Sequence, residues 1–143
     1  ARYRVYLAAP LFSEAERAYN LMLRDLLEAH FFDVYLPQEV GDTSHTRCRD
    51  EHRAIFSKHL AALRDADIVV AVIDGADADS GTSWEMGYAY ALGKPLVALR
   101  TDFRIAGYHE RVNLMLEESA DVVTAKEDLP RALGSILSGA GKP

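Results

Sequence analysis

Three aspartates and a glutamate, Asp74, Asp77, Asp79 and Glu85, fall within the stretch DGADADSGTSWEMGYAYALGKP, residues 74–95. Two carboxylates in different surroundings are the usual equipment for cleaving a glycosidic bond. One attacks or stabilises an oxocarbenium-like centre while the other delivers a proton to the departing group. Glu85 and Asp79 are the pair to test for such roles. If a helix begins near Ser83, Glu85 lies in its first turn, where unpaired backbone N–H groups and the helix dipole hold a carboxylate ionised. Asp79, in the loop before it, is then free to take a different proton affinity. The competing reading is structural: Glu85 caps the helix and the aspartates solvate a turn.

Other chemistries find less support. No glycine-rich phosphate cradle of the P-loop or dinucleotide type is present, and GADADSG is too acidic to hold a pyrophosphate. His45, His52, His59 and His109 fall in polar or helical surroundings and form no recognisable metal set with Cys48. No metal and no organic cofactor are therefore expected. Trp84 and Tyr88 fit two uses equally, stacking on an aromatic ligand or packing in a core or interface. Cys48 is the single cysteine, so no disulfide forms within these residues and a reducing compartment fits best. Arg47 and Arg49 flank it and would lower its pKa, but a bystander thiol is the preferred reading. A net charge of −6 argues against a nucleic-acid partner, which asks for a basic face. Nothing approaches the roughly 18 apolar residues of a membrane span, and ARYRVYLAAP lacks a signal-peptide core. The expectation is a cytoplasmic protein with no membrane partner.

Apolar runs alternate with helical patterns along the chain, and these elements must position the carboxylates. YRVYLAA (3–9), FDVYLP (32–37), DIVVAVID (67–74), PLVALR (95–100) and DVVTA (121–125) read as strands. Ser13 and Glu16 fit a capping box opening a helix that ends near His30, with Ala15, Ala18, Tyr19, Met22 and Leu26 on its inner face. A second helix, from about Arg49 to Ala66, buries Ile55, Phe56, Leu60 and Leu63. A third runs from Ser83 to a stop at Gly93, and EDLPRALGSIL forms the last. Residues 38–48 read as a long polar loop. This alternation predicts the α/β class: one domain over 1–143, a doubly wound sandwich with a five-stranded parallel sheet in flavodoxin-like order, and a flexible tail at 138–143. Ligands of such sheets bind beyond the carboxyl ends of the strands. The segments delivered there are Ala8 to Phe12, Pro37 to Glu39, Asp74 to Thr82 and the loop from Thr101.

VYLAAPLF, DADIVVAVIDG, DSGTSWEMGYAYALGKP and RVNLML together resemble the nucleoside 2-deoxyribosyltransferases, from about residue 3 to residue 125. The resemblance implies transfer of a 2-deoxyribosyl group between nucleobases in nucleoside salvage, with 2′-deoxynucleosides and free nucleobases as partners and no cofactor. It implies that Glu85 attacks C1′ to give a covalent deoxyribosyl-enzyme and that Tyr6 hydrogen-bonds that glutamate. Asp74 and Asp79 would contact sugar and base, one of them protonating the departing base. Gln38 would bind the nucleobase, and Phe12, beyond the first strand, joins the substrate-binding set. Asn113 would reach into a neighbouring subunit's site to bind the sugar 5′-hydroxyl, within a homo-oligomer built from dimers, often a hexamer. Two displacements at C1′ would retain its configuration. The stretch 102–111, DFRIAGYHER, matches no feature of that pattern and is assigned to the base pocket or a subunit contact.

Two rivals stand beside this reading. Related hydrolases of deoxynucleoside 5′-monophosphates carry a Gly/Ser/Arg-rich phosphate loop after the first strand. Here that loop is AAPLFSEAER, with one serine and no glycine, although Ser13 and the helix N-terminus keep a phosphate site open. A non-catalytic nucleotide-sensing module comes third. A phosphoacceptor domain would need paired acids after the first strand, where YLAAP has none.

Overall fold

Strands buried on both faces of a parallel sheet are written as unbroken apolar runs, and β3 (Ile68–Val72), IVVAV, is buried at every position. In the computed structural model, which describes residues 2–41 and 48–139, β3 sits at the centre of five parallel strands. The others are β1 (Arg4–Ala8), β2 (Asp33–Tyr35), β4 (Leu96–Leu99) and β5 (Asp121–Val123), in the order β2-β1-β3-β4-β5. This is the flavodoxin-like order that the alternation of elements predicts, and it reverses direction between β1 and β3.

Alternate residues of each strand face opposite layers. Val5 and Leu7 of β1 join Val70, Val97 and Leu99 under α1 (Glu14–Ala29) and α6 (Leu129–Leu137). Tyr6 and Ala8 join Val69, Ala71 and Ala98 on the other face, beneath α3 (Arg49–Asp65) and α4 (Ser80–Ala91). The β1–β2 register sets Tyr6 directly against Tyr35. The short α2 (Pro37–Val40) and α5 (Leu114–Glu118) complete the chain, with a turn of 3₁₀ helix at Lys126–Asp128. Among the described residues no helix is long and apolar enough to cross a membrane.

Several expectations are corrected. The capping box of α1 forms as read, with Ser13 Oγ accepting from Glu16 N–H and Glu16 Oε1 accepting from Ser13 N–H. Of its expected inner face Tyr19 packs against the core, but the fully buried positions are Asn20, Leu23 and Leu27, and Met22 is 50% exposed. Apolar residues at consecutive positions in LMLRDLLEA offer two helical stripes one residue apart, and contact with the sheet selects between them. On α3, Leu63 is buried but Phe56 stands out into a cleft. The loop expected at 38–48 is helical at its start, as part of α2; residues 42–47 lie outside the described residues. Of the expected tail, Ser138 and Gly139 form a turn and 140–143 lie outside the described residues.

Candidate active site

The start of α4 decides how Glu85 behaves. Asp79, not a residue near Ser83, is the N-cap: its Oδ2 accepts from Thr82 N–H at 2.9 Å and Thr82 Oγ1 at 3.2 Å. Small residues at Ser80, Gly81 and Thr82 then form the first turn, and Glu85 falls in the second. The expectation that first-turn N–H groups keep Glu85 ionised is therefore corrected, because the dipole effect fades within that turn. Burial dominates instead and raises its pKa from 4.5 to about 7; the Tyr6 hydrogen bond pulls down and the charge of Asp79 pushes up.

Glu85 lines a largely apolar cleft of about 590 Å³ beyond the carboxyl ends of β1, β2 and β3. This is the crevice beside the reversal of strand order, where ligands of such sheets bind. Phe12, Phe56 and Trp84 supply aromatic walls, and Asp79 and His59 share the lining. Trp84 packs edge-on against Phe56 with ring centroids 5.8 Å apart and stacks on Tyr88 at 5.4 Å. Walls of this kind hold a flat ring by its faces.

Beneath the cleft, the Tyr6 hydroxyl donates a short hydrogen bond to Glu85 Oε2. Burial first, and then the neighbouring carboxylate, raise the Tyr6 pKa far above the usual phenol range, so it stays a donor. Tyr35 stacks on Tyr6 at 5.2 Å, and its hydroxyl lies 2.9 Å from His59 Nδ1. Burial, and then the charge of Lys58, lower the pKa of His59, leaving a neutral imidazole at neutral pH.

The remaining sequence candidates lie apart. Asp74 does not line the cleft: Oδ1 accepts from Thr101 N–H (2.6 Å) and Asp102 N–H (2.9 Å), and Oδ2 from Thr101 Oγ1 (2.5 Å). Asp102 replies by accepting from Gly75 N–H at 3.0 Å. Buried Arg100 donates to the Ile73, Gly75 and Arg104 carbonyls at 2.6, 3.0 and 2.9 Å. The loop after β4 is thereby tied to the one after β3 and contributes nothing to the cleft lining. Gln38 is braced against α1, accepting from Asn20 Nδ2 at 2.9 Å and donating to Arg17 O at 3.0 Å. Asn113 caps α5 and stands beyond α4 in a second groove with Ser83, Gly87 and Tyr90. Among the described residues no group of three or more His, Cys, Asp or Glu side chains is placed to hold a metal ion.

Residues 5–130 match the sequence profile of the family described as nucleoside 2-deoxyribosyltransferase. The chain belongs to that family. Its fold is similar to that of a 2-deoxyribosyltransferase from Bacillus psychrosaccharolyticus, with a TM-score of 0.76 and 26% identity over 89% of this chain and 90% of the other. A 2-desoxiribosyltransferase from Leishmania mexicana aligns with a TM-score of 0.73 and 25% identity over 95% and 97% of the two chains. A CMP N-glycosidase of Clostridium botulinum shares the fold alone, with a TM-score of 0.54 and 19% identity over 92% of this chain and 98% of that one.

Within this deoxyribosyltransferase-type architecture, the sequence does not single out one residue of the cleft, His59, or two that brace its surroundings, Tyr35 and Asn20. His59 looked like one more polar residue of α3, because its partner Tyr35 lies on another element. Tyr35 itself was visible only as a strand residue. Asn20 is 2% exposed and donates to both Pro10 O and Gln38 Oε1, both at 2.9 Å, so it ties the β1–α1 loop to α2. A buried asparagine on a helix was the one available signal for that brace.

Proposed function

We propose that the protein transfers the 2-deoxyribosyl group of a 2′-deoxynucleoside to an acceptor nucleobase through a covalent intermediate on Glu85. The observation that carries the reading is Glu85 itself, half-buried in an aromatic-walled cleft with its carboxylate held by Tyr6. A carboxylate partly desolvated by burial gains most when positive charge develops beside it, as it does at C1′. The base leaves with the electron pair of the C1′–N bond while a Glu85 oxygen bonds to C1′. An acceptor base then displaces the carboxylate, and two inversions retain the configuration. Asp79 stands beside Glu85, with Oδ2 engaged as a helix cap and Oδ1 left to meet sugar or base. Asp74 and Gln38 serve this site by holding its rims, and Phe12 covers one face of the bound base.

Asn113 has no access to the cleft of its own chain, which supports its use by a neighbouring subunit in a homo-oligomer. The exposed apolar residues Tyr90, Leu114 and Met115 beside it suit such a contact. The alternative substrate, a deoxynucleoside 5′-monophosphate, meets an obstacle at the N-terminus of α1. Glu16 Oε1 accepts from Phe12 N–H (3.1 Å) and Ser13 N–H (2.8 Å), so a carboxylate fills the place where backbone donors would cradle a phosphate. The test is chromatography of purified protein with 2′-deoxyinosine, with and without adenine. Adenine-dependent 2′-deoxyadenosine is expected, and a Glu85-linked deoxyribosyl mass should be trapped without acceptor. Hypoxanthine release with no new nucleoside would replace transfer by hydrolysis, and turnover confined to 5′-monophosphates would overturn the substrate class.

A further inference from the structure

A nucleobase presents donors and acceptors along one edge, and the two carboxylates of the cleft suit only its donors. Side-chain donors in the lining are Ser80, the Trp84 indole and His59. Ser80 and Trp84 are exposed on the first turns of α4. Of the three, His59 alone has a hydrogen bond to its side chain among the described residues. The Tyr35 hydroxyl lies 2.9 Å from His59 Nδ1, and donation by that hydroxyl would place the imidazole proton on Nε2. Tyr35 also meets the ring edge-on, with centroids 5.9 Å apart. Nε2 has no hydrogen-bond partner among the described residues, and the half-buried ring that carries it lines the cleft.

The mounting of this donor matters as much as its presence. Tyr6 and Tyr35 are register partners on neighbouring strands, and their rings stack. One holds Glu85 and the other holds His59. The pair therefore fixes the separation between a carboxylate and a neutral N–H donor across the same apolar cleft, which is preorganisation of the kind that binding sites need.

We propose that His59 is a base-binding residue, its Nε2–H donating to an acceptor atom on the edge of the nucleobase that faces α3. The proposal rests on the deoxyribosyltransferase reading for the identity of the ligand. It predicts selection among bases by the position of a ring-nitrogen or carbonyl acceptor, with no proton transferred from the imidazole.

Trp84 is the only tryptophan in the chain and lines the cleft, so its fluorescence reports base binding without turnover. Adenine, 7-deazaadenine and 3-deazaadenine would be titrated into the full-length protein and its His59→Phe and His59→Gln variants. For the unaltered protein, one deaza analogue should bind about tenfold more weakly than adenine, the loss expected for one hydrogen bond. His59→Phe should weaken adenine about tenfold and bring it level with that analogue, whereas His59→Gln, which keeps a donor, should retain the difference. His59→Ala carries the same expectation if His59→Phe does not fold. An equal loss for all three bases, an unchanged preference in His59→Phe, or no saturable quenching by any base would overturn the proposal. Turnover of 2′-deoxyinosine is scored separately. Base discrimination through His59 without transfer or hydrolysis would sink the transferase reading alone, and transfer with His59-independent discrimination would sink this proposal alone.

Discussion

Asp74 and Glu85 follow the same strand, and their surroundings have driven them in opposite directions. Around Asp74 the chain supplies donors in excess: two backbone N–H groups and a threonine hydroxyl converge on one carboxylate. Around Glu85 it supplies one hydroxyl and a wall of aromatic carbon. The first carboxylate is consumed in joining two loops, while the second is left short of solvation with its pKa near 7. The lesson is that an acidic residue beyond a strand is sorted by the donors it finds, not by its place in an acidic run. A carboxylate that the fold leaves short of donors is the place to look for reactivity.

The contrast breaks most directly at Glu85. Glu85→Ala is expected to reduce transfer by at least about 10³-fold while leaving the circular dichroism spectrum unchanged. Near-normal turnover in that variant would remove Glu85 from the chemistry. A second effect concerns stability. Because burial raises the Glu85 pKa from 4.5 to about 7, the folded chain keeps a proton that the unfolded chain has released between those values. The contribution is fully present below the unfolded pKa and is lost as pH climbs through the folded one. Glu85→Gln should therefore change stability little near pH 4 and raise it by up to about 3 kcal/mol near pH 8, read from urea unfolding at the two pH values. A gain that is the same at both would mean that the carboxylate is not strained by burial.

The opposite pattern is expected across the sheet. Asp74→Ala should lower stability by about 2 kcal/mol, through the loss of charge-accepting hydrogen bonds, while turnover per folded molecule stays within about threefold. Loss of activity with undiminished stability would move Asp74 into the site and erase the distinction. The finest test is Tyr6→Phe. The Tyr6 hydrogen bond pulls the Glu85 pKa down against burial, so its removal should shift the acid limb of the kcat/KM profile to higher pH, with kcat lowered about tenfold. An unmoved acid limb would show that another group sets it.

How much of this was legible in the sequence depends on whether the signal was local. All five strands could be read because a central parallel strand declares itself by composition, as IVVAV does. The capping box of α1 could be read because Ser13 and Glu16 are three residues apart on the same turn. The phase of α1 could not, since Met22 and Leu23 are equally apolar and only the sheet distinguishes them. The start of α4 was hidden because SGT looks like a loop until Asp79 is seen to cap it. Around the cleft, Glu85, Asp79 and Phe12 can be read from strand ends and spacing, Tyr6 only from the family resemblance, and His59 from neither. Its significance is a contact between α3 and β2, and no spacing within either element encodes that. Asp74 and Glu85 could be named together for the same reason: their types are visible in the sequence, and the donors around them are not.

The tie between the two loops also sets a rule for anyone who wishes to rebuild the protein. Asp74 grips the backbone at Thr101 and Asp102, Asp102 grips the backbone at Gly75, and Arg100 reaches the carbonyls of Ile73 and Gly75. Segments 73–75 and 100–104 thus form one cassette, though far apart in the chain. A loop taken from a relative can be exchanged here only as a matched pair. Grafting 100–104 alone would remove the Arg100 guanidinium and the Asp102 carboxylate that hold 73–75, and grafting 73–75 alone would remove the Asp74 carboxylate that holds Thr101 and Asp102.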